Sequence, residues 1–230
     1  MTGGIIAAGE GSRLRRDGWA EPKPLVRIAG VPLLETVVTN FIAAGIERLT
    51  IIVNEDERAC VTWARGRFPT LDLRFLVKTT ASSLESFAEV LAAAPPGPLV
   101  VSTVDAWCRP ADFAGFVRAA GVRPAGATVL AVTPFVHDER PLWATLDGDG
   151  RVLTLGGDGG DVVTAGVYVI PAPVRALPPP AALGRLREYL AWLVASGRPV
   201  YGDVIERVID VDRASDVALA EDMARAEESA

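Results

Sequence analysis

Short apolar runs alternate with longer helical patterns along the first half of the chain. The apolar runs, rich in Val, Ile and Leu, fall at residues 4–8, 49–53, 73–77, 99–103 and 128–132. Patterns of helical period lie between them, at residues 33–44, 57–68, 83–94 and 111–120. Near-continuous apolar strands separated by helices are typical of a mostly parallel sheet covered on both faces. The first half therefore predicts a Rossmann-like α/β fold, with helices flanking a mostly parallel sheet.

The pattern becomes mixed after residue 135. Strands are predicted at 142–146 and 151–155, and the Asp-Gly-Asp-Gly turn between them indicates a hairpin. A glycine-rich loop at 156–160 precedes a strand at 162–170, a helix at 183–196, a strand at 204–211 and a closing helix at 214–226. We find no internal repeat. The sequence therefore predicts a single domain, 1–230, with a parallel half at 1–135 and a mixed half at 136–230.

Composition narrows the function classes. Half of the 230 residues are hydrophobic, which is enough for one sizeable core. The formal net charge is −6 and no basic block stands out, which argues against nucleic acid as the main partner. No apolar run approaches the roughly 18 residues of a membrane span, and no signal peptide is predicted. Cys60 and Cys108 lack metal-ligand spacing, so we expect reduced thiols in a cytoplasmic protein without a membrane partner.

The segment from residue 3 to residue 25, GGIIAAGEGSRLRRDGWAEPKPL, carries the most specific chemistry. An apolar strand leads directly into Gly9-Glu10-Gly11-Ser12-Arg13, and Pro22-Lys23-Pro24 follows after a gap of eight residues. Glycine tolerates the positive φ of such a turn, and consecutive backbone N–H groups form a concave anion site. With Arg13 and Lys23 beside it, the turn predicts a polyphosphate site. The patterns of a P-loop and of a dinucleotide-binding turn are both absent.

The joint spacing of these glycines, Arg13 and Lys23 resembles the signature of the sugar-1-phosphate nucleotidyltransferases. Their superfamily also includes the choline-phosphate, inositol-phosphate and molybdenum-cofactor nucleotidyltransferases. The resemblance covers nearly the whole chain and implies the nucleotide-diphospho-sugar transferase fold, with a mixed, acceptor-binding second half. It implies an enzyme that transfers a nucleoside monophosphate from a nucleoside triphosphate to a sugar-1-phosphate or similar phosphate monoester, and that releases pyrophosphate. Magnesium is the implied cofactor.

The resemblance also implies roles for individual residues. Arg13 and Lys23 become the catalytic cations, which neutralise the phosphates. The implied nucleotide-binding residues are Ala8, Gly9, Gly11, Ser12, Ser82 and Ser83. The two serines begin a predicted helix, so a role as helix N-cap is equally open for them.

Two aspartates are the implied metal ligands. Asp105 follows the fourth predicted strand, and open α/β sheets bind ligands beyond the carboxyl ends of their strands. Asp210 begins the segment DVDRASD, which resembles the late metal motif of the family. Asp212 projects to the same side of a strand and is expected to support the site, although Asp212 or Ser215 could instead cap the last helix. Magnesium suits a few carboxylates combined with phosphate oxygens and water.

The acceptor side departs from the sugar-specific pattern. No lysine stands where those members carry a Glu-Lys pair, so Arg140 or Arg151 is expected to meet the acceptor phosphate. Gly166, in the phrase TAGVY, would let an acceptor ring approach the backbone, or would mark a strand bulge. The 156–160 loop is expected to be mobile and to close over the acceptor. His137, the single histidine, is predicted to be a solvated loop residue.

A second class of function stays open at this point. The missing acceptor-side lysine is compatible with a catalytically silent, nucleotide-binding or regulatory relative of the same fold. The intact set of Arg13, Lys23, Asp105 and Asp210 favours an active enzyme. The base, the acceptor and the oligomeric state do not follow from the sequence.

Overall fold

The computed structural model describes residues 1–228. In chain order its strands are β1 (Thr2–Ala7), β2 (Arg27–Ile28), β3 (Val31–Pro32), β4 (Arg48–Val53), β5 (Asp72–Val77), β6 (Leu99–Thr103), β7 (Ala106–Trp107), β8 (Thr128–Thr133), β9 (Trp143–Leu146), β10 (Val152–Leu155), β11 (Val162–Ile170), β12 (Val200–Val204) and β13 (Ile209–Asp210). Its helices are α1 (Ser12–Arg16), α2 (Leu33–Ala43), α3 (Ala59–Arg67), α4 (Ser83–Ala93), α5 (Pro110–Ala120), α6 (Ala172–Arg175), α7 (Leu186–Ala195) and α8 (Ala214–Glu228). Two 3₁₀ turns cover Lys23–Leu25 and Glu55–Glu57.

A nine-stranded sheet organises these elements. Strands β5, β4, β1 and β6 lie side by side and run parallel. Strand β11 lies antiparallel beside β6 and also pairs with β8 and β9. Strand β12 joins β8 in parallel, and β10 completes the hairpin with β9. Strand β11 thus ties the mixed second half to the parallel first half within one sheet.

The apolar residues of β1 explain why helices cover both faces of the sheet. Ile5 and Ala7 pack into one core cluster, with residues of α2, α3, α5 and α8. Ile6 packs into a second cluster, with residues of α4 and α7. Side chains alternate between the faces of a strand, so a continuous apolar strand needs cover on both sides. The predicted fold class, a mostly parallel sheet flanked by helices, is confirmed.

Helix α2 shows how local chemistry sets an element's end. Gly45 has φ of +72°, a left-handed conformation that favours glycine. The N–H of Ile46 donates to the carbonyl of Phe41 at 2.9 Å, which is the long bond of a Schellman ending. The helix therefore stops before Gly45, as the sequence predicts.

Two elements differ from what the sequence predicts. The strand predicted at 204–211 is not continuous: β12 ends at Val204, the chain bends at Glu206, and β13 covers only Ile209–Asp210. The chain leaves the sheet where the N–H of Ile205 donates to the carbonyl of Val132. Strand β12 escaped the apolar pattern because it contains Gly202 and Asp203. The turn after β1 also opens directly into α1, with Gly11 as its N-cap.

Arg175 anchors the end of α4 from the other half of the chain. Its Nη2 donates to the carbonyls of Leu91 and Ala94, at 2.6 and 2.9 Å. Its Nη1 donates to those of Pro95 and Gly97, at 2.7 and 2.6 Å. One guanidinium thus satisfies four carbonyl oxygens that α4 and the following loop leave free.

We expect Arg175→Met to lower the free energy of unfolding by about 3 kcal/mol, because hydrogen bonds to charged groups contribute about 1.5–3 kcal/mol each. Arg48→Met is the matched control, since it removes only the exposed ion pair with Asp72. Such exposed pairs contribute less than about 1 kcal/mol. Urea unfolding monitored by circular dichroism measures both, and equal losses would contradict the anchoring role.

Candidate active site

The signature loop lies against Lys23. Gly11 has φ of +60°, and a Cβ there would stand 2.9 Å from the Cβ of Lys23. Glycine is therefore required both by conformation and by space. Ala8 is buried at the end of the strand, whereas Gly9 and Ser12 are exposed on the loop. The backbone between Gly9 and Ser12 is thus accessible to a ligand beside Lys23.

Lys23 is the buried centre of a charge cluster. Its Nζ lies 2.5 Å from Oδ2 of Asp105 and also contacts Oδ1 of Asp212. The other oxygen of Asp212 lies 2.5 Å from Nη1 of Arg13. Burial alone would lower the pKa of Lys23, but the charges of Asp105, Asp212 and Asp210 outweigh it and raise that pKa. Lys23 therefore stays charged over the physiological pH range.

Three carboxylates, those of Asp105, Asp210 and Asp212, meet at this cluster. One oxygen from each lies within 4.8 Å of the others. Strands β7 and β13 bring them together, because Asp210 pairs with Ala106 in their antiparallel ladder. The N–H of Val211 also donates to the carbonyl of Asp105 at 3.0 Å. This group could hold a metal ion.

Asp105 and Asp210 titrate in opposite directions. Burial raises the pKa of Asp105, but the charge of Lys23 outweighs it and holds that pKa below its usual range. Asp210 is exposed and lines the cavity described below. Desolvation and then the charge of Asp105 raise the pKa of Asp210 well above its usual range. Among the described residues, no donor forms a hydrogen bond with the Asp210 carboxylate. Asp210 is thus the carboxylate most in need of a cation.

Asp216, not Asp212, supports the start of the last helix. Oδ2 of Asp216 accepts from the N–H groups of Asp212 and Arg213, at 2.9 and 2.7 Å. The side chain of Asp212 is left to bind Arg13 and Lys23. Oδ1 of Asp216 lies 2.8 Å from Nε2 of His137. His137 is an exposed loop residue, as the sequence predicts, and it also lines the cavity described next.

A cavity of about 260 Å³ opens beside Asp105 and Asp210. Its wall is built by residues 133–142, by β11 and by the start of α7. Gly166 has φ of +71°, and a Cβ there would stand 2.7 Å from Oγ1 of Thr103 and 2.9 Å from Cβ of Ala106. It also lies where the register of β11 against β8 shifts. Gly166 therefore both forms a bulge and lines the cavity.

Among the described residues, the arginines that line the cavity are Arg185 and Arg187, at the beginning of α7. Neither predicted acceptor arginine is among the described residues that line it. Arg151 pairs with Tyr201 through a β-bridge, and the carbonyl of Arg140 accepts from Nη2 of Arg187 at 3.0 Å. No residue of the 156–160 loop lines it either, within the part of the chain that the structure describes. The sequence offered one indication of a role for Arg185 and Arg187, which is their position near the start of a predicted helix.

The two serines at the start of α4 have separate partners. Oγ of Ser82 accepts from the N–H of Glu85 at 3.2 Å, so Ser82 caps the helix. Oγ of Ser83 accepts from the N–H of Leu186 at 3.1 Å, which ties α4 to α7, and Ser83 also lines the cavity. A nucleotide contact by either serine stays a prediction.

We expect Asp210→Asn to make the protein more stable in the absence of metal. The pKa of Asp210 is raised by folding, so its ionisation destabilises the folded state, and stability falls as pH rises from about 3.8 through that raised value. Asparagine cannot ionise and removes this loss. Thermal unfolding of both proteins across the pH range, in the presence of a chelator, measures this difference in stability. Asp158→Asn, in an exposed loop, should unfold like the unmodified protein; a stabilisation shared by both variants would contradict this account.

More than half of the chain matches a known family model. The model of the MobA-like NTP transferase domain matches residues 3–160, which include the signature loop, Lys23 and Asp105. The chain belongs to this family. The membership predicted from the signature of glycines, Arg13 and Lys23 is thereby confirmed.

Curated relatives carry related names. The chain is 34% identical over 92 residues to the 2-aminoethylphosphonate cytidylyltransferase of Lancefieldella rimae. This alignment covers 38% of this chain and 37% of that protein. It is 27% identical over 86 residues, 37% of this chain and 14% of the relative, to the CMP-5'-(3-aminopropyl)phosphonate synthase of Streptomyces rubellomurinus. It is 32% identical over 227 residues to the bifunctional IPC transferase and DIPP synthase of Rubrobacter xylanophilus, covering 87% of this chain and 46% of the relative. The chain thus spans less than half the length of each of these relatives.

Solved structures confirm the fold. The inositol-1-phosphate CTP transferase from T. maritima superposes with a TM-score of 0.82 at 19% identity, over 97% of this chain and 95% of that one. A putative glucose-1-phosphate thymidylyltransferase from Bacillus anthracis superposes with a TM-score of 0.83 at 17% identity, over 98% and 95% of the two chains. At this identity the likeness establishes the architecture alone. Among the described residues, no helix has the length and apolarity needed to cross a membrane.

Proposed function

We propose that this protein is a magnesium-dependent nucleotidyltransferase that transfers a nucleoside monophosphate to a phosphate monoester or phosphonate and releases pyrophosphate. The observation that carries the proposal is the convergence of Arg13, Lys23 and three carboxylates between the signature loop and a cavity. Family membership supports a nucleoside triphosphate as one substrate, because the matched domain is an NTP transferase domain. A single domain would then divide its work, with residues 1–135 binding the nucleotide and 136–230 the acceptor.

The carboxylate cluster fits a magnesium ion. Hard carboxylate oxygens are the protein ligands that magnesium takes, and Asp210 has no hydrogen-bond donor among the described residues. Asp105 and Asp210 would hold the ion, and Asp212 would support it through Arg13 and Lys23. When bound, magnesium supplies positive charge that neutralises the nucleotide and acceptor phosphates.

The chain's own residues then position the reaction. An anionic oxygen of the acceptor attacks the α-phosphorus in line, a new P–O bond forms, and the bond to the bridging oxygen breaks. The electron pair leaves with pyrophosphate, and no general base is needed because the attacking oxygen is already anionic. Lys23 neutralises charge at the α-phosphate, and Arg13 holds the leaving pyrophosphate together with the amides of Gly11 and Ser12. Catalysis is thus positioning and charge neutralisation.

The cavity favours a compact acceptor that carries both signs of charge. At about 260 Å³ it lies at the small end of ligand pockets. Arg185 and Arg187 offer positive charge, and Asp138, which also lines the cavity, offers negative charge. An aminoalkylphosphonate, the substrate class in the names of two relatives, has a matching anionic head and ammonium tail. We therefore infer CTP and an aminoalkylphosphonate as the first substrates to test.

A polyol phosphate is the second candidate acceptor. The relative that covers 87% of this chain is an IPC transferase, and a structural neighbour is an inositol-1-phosphate CTP transferase. Asp138 discriminates between the two candidates, because an ammonium group requires a carboxylate partner whereas hydroxyl groups do not.

Pyrophosphate release with four nucleoside triphosphates tests the function directly. The acceptors are 2-aminoethylphosphonate, inositol-1-phosphate and glucose-1-phosphate. We expect CTP with 2-aminoethylphosphonate to give the highest kcat/KM, and Asp138→Asn to lower it for that acceptor alone. Nucleotide binding without release for any combination would instead indicate a catalytically silent relative.

We expect Lys23→Met to lower kcat about a hundredfold or more, as loss of one preorganised charge does. Lys78→Met is the matched control, because Lys78 is the other lysine of the chain and pairs with Glu85 and Glu89 on an exposed surface. Its kcat should stay within about twofold of the unmodified value. Circular dichroism verifies that both variants fold. A fully active Lys23→Met protein would reject the catalytic role.

The metal is tested by calorimetry as well as by turnover. Magnesium should bind the protein–nucleotide complex, and Asp105→Asn and Asp210→Asn should each remove the binding heat and the activity. Asp158→Asn serves as the exposed control. Activity that survives chelation of all divalent ions, or survives in Asp210→Asn, would exclude this metal site.

A further inference from the structure

Glu57 is a buried carboxylate for which the mechanism above has no use. It is 3% exposed, at the end of the 3₁₀ turn Glu55–Glu57 that follows β4. Neither carboxylate oxygen makes a hydrogen bond with any described residue. Burying a carboxylate without partners is costly, and buried polar groups normally find them. The position therefore calls for a role that outweighs its cost in stability.

The turn that carries Lys23 lies beside this carboxylate. The charges that act on Glu57 are those of Arg15 on α1, Lys23 on the neighbouring turn and Asp56 beside it. The neutral thiol of Cys60 on α3 is also close enough for Glu57 to raise its pKa. The backbone N–H of Lys23 also faces the carboxylate, outside hydrogen-bonding geometry. Glu57 thus lies near the backbone of Lys23, whereas the side-chain Nζ of Lys23 contacts the carboxylate cluster.

The Lys23 N–H is a special donor within its turn. Residues 22 and 24 are prolines, which have no N–H, and the next two N–H groups, of Leu25 and Val26, donate to Pro22 and Lys23. The first N–H groups of a helical turn have no partner within it. The Lys23 N–H is therefore the donor that remains for a carboxylate to bind.

The ionisation of Glu57 changes near neutral pH. Burial raises the pKa of its carboxyl from 4.5 to about 7, against the opposing charges of Arg15 and Lys23. The neutral carboxyl is a weaker acceptor than the carboxylate, because charged acceptors form stronger hydrogen bonds.

We propose that Glu57 is a positioning residue that holds the signature loop in its phosphate-binding geometry, through the N–H of Lys23 and the charge of Arg15. It touches no reacting atom. This inference rests on the proposed nucleotidyltransferase function, since it assigns Lys23 and the loop amides to the phosphates. The carboxylate lowers the stability of the fold, but it would contribute to the reaction rate. A small displacement of the loop from its phosphate-binding geometry lowers that rate strongly.

The stability arm of the test does not depend on the function. Because folding raises the pKa of Glu57, its ionisation destabilises the folded protein, and stability falls as pH rises from about 4.5 to about 7. Glu57→Gln cannot ionise, so it should lose this fall and be at least as stable as the unmodified protein at about pH 8. Glu55→Gln is the matched control, exposed on the same turn.

The kinetic arm uses the same variants with CTP and the acceptor found above. Glu57→Gln should lower kcat about 10- to 100-fold and lose the rise of kcat across pH 6–8 that depends on this carboxylate, while Glu55→Gln should match the unmodified enzyme. Calorimetry measures the affinity of the same variants for CTP, so the state of the loop can be tested even in a protein that shows no turnover. Unchanged kcat and CTP affinity in Glu57→Gln, or equal losses in Glu55→Gln, would overturn the proposal.

A measurement on the unmodified protein covers the case in which Glu57→Gln fails to fold. The proline-flanked segment 22–24 has a single amide hydrogen, that of Lys23. Its hydrogen-exchange protection factor should increase as pH rises through about 7, where Glu57 ionises and accepts the bond. A protection factor that does not change with pH would contradict the proposal, whether or not the protein shows transferase activity.

Discussion

The ion pairs of buried Lys23 with Asp105 and Asp212 are the interaction on which the site depends. Three carboxylates within 4.8 Å of one another would repel strongly without a cation among them. Lys23 supplies that cation from inside, and Arg13 adds a second at Asp212. The two cations leave one negative charge uncompensated. Asp210, which has no donor among the described residues, carries this surplus and takes up a proton more readily as a result.

The fold brings this cluster together through backbone contacts. Asp105 follows β6, whose parallel neighbour β1 ends at the signature loop. The short pairing of β7 with β13 then places Asp210 beside Asp105, across more than a hundred residues of chain. Gly11 allows the loop to approach Lys23, and Gly166 allows β11 to approach Thr103 and Ala106. Glycine at these positions removes the side chain that would keep the two sides of the site apart.

The sequence predicted what local pattern determines. The apolar strands, the glycine turn, and the convergence of Asp105 and Asp210 all followed from patterning and from the family signature. It missed Arg185, Arg187 and His137, because tertiary packing alone places them at the cavity. The error at 204–211 has the same origin. Asp203 breaks the apolar pattern of β12, but in the fold β12 pairs with β8, and Arg123 forms an ion pair with Asp203. Glu57 looked like one acid in an acidic run, and only its burial distinguishes it from Glu55.

Two carboxylates near Lys23 lower the stability of the fold. Desolvation raises the pKa of both Asp210 and Glu57, and neither has a hydrogen-bond partner among the described residues. Asp210 is exposed and lines the cavity, whereas Glu57 is buried near the backbone of Lys23. A fold selected for stability alone would replace each with a neutral residue. Arg175, by contrast, stabilises the fold directly, because its guanidinium satisfies four carbonyl oxygens. A bound cation at Asp210 and a hydrogen bond from the Lys23 N–H to Glu57 would complete the two carboxylates, and this is the argument that the region around Lys23 is shaped for ligands.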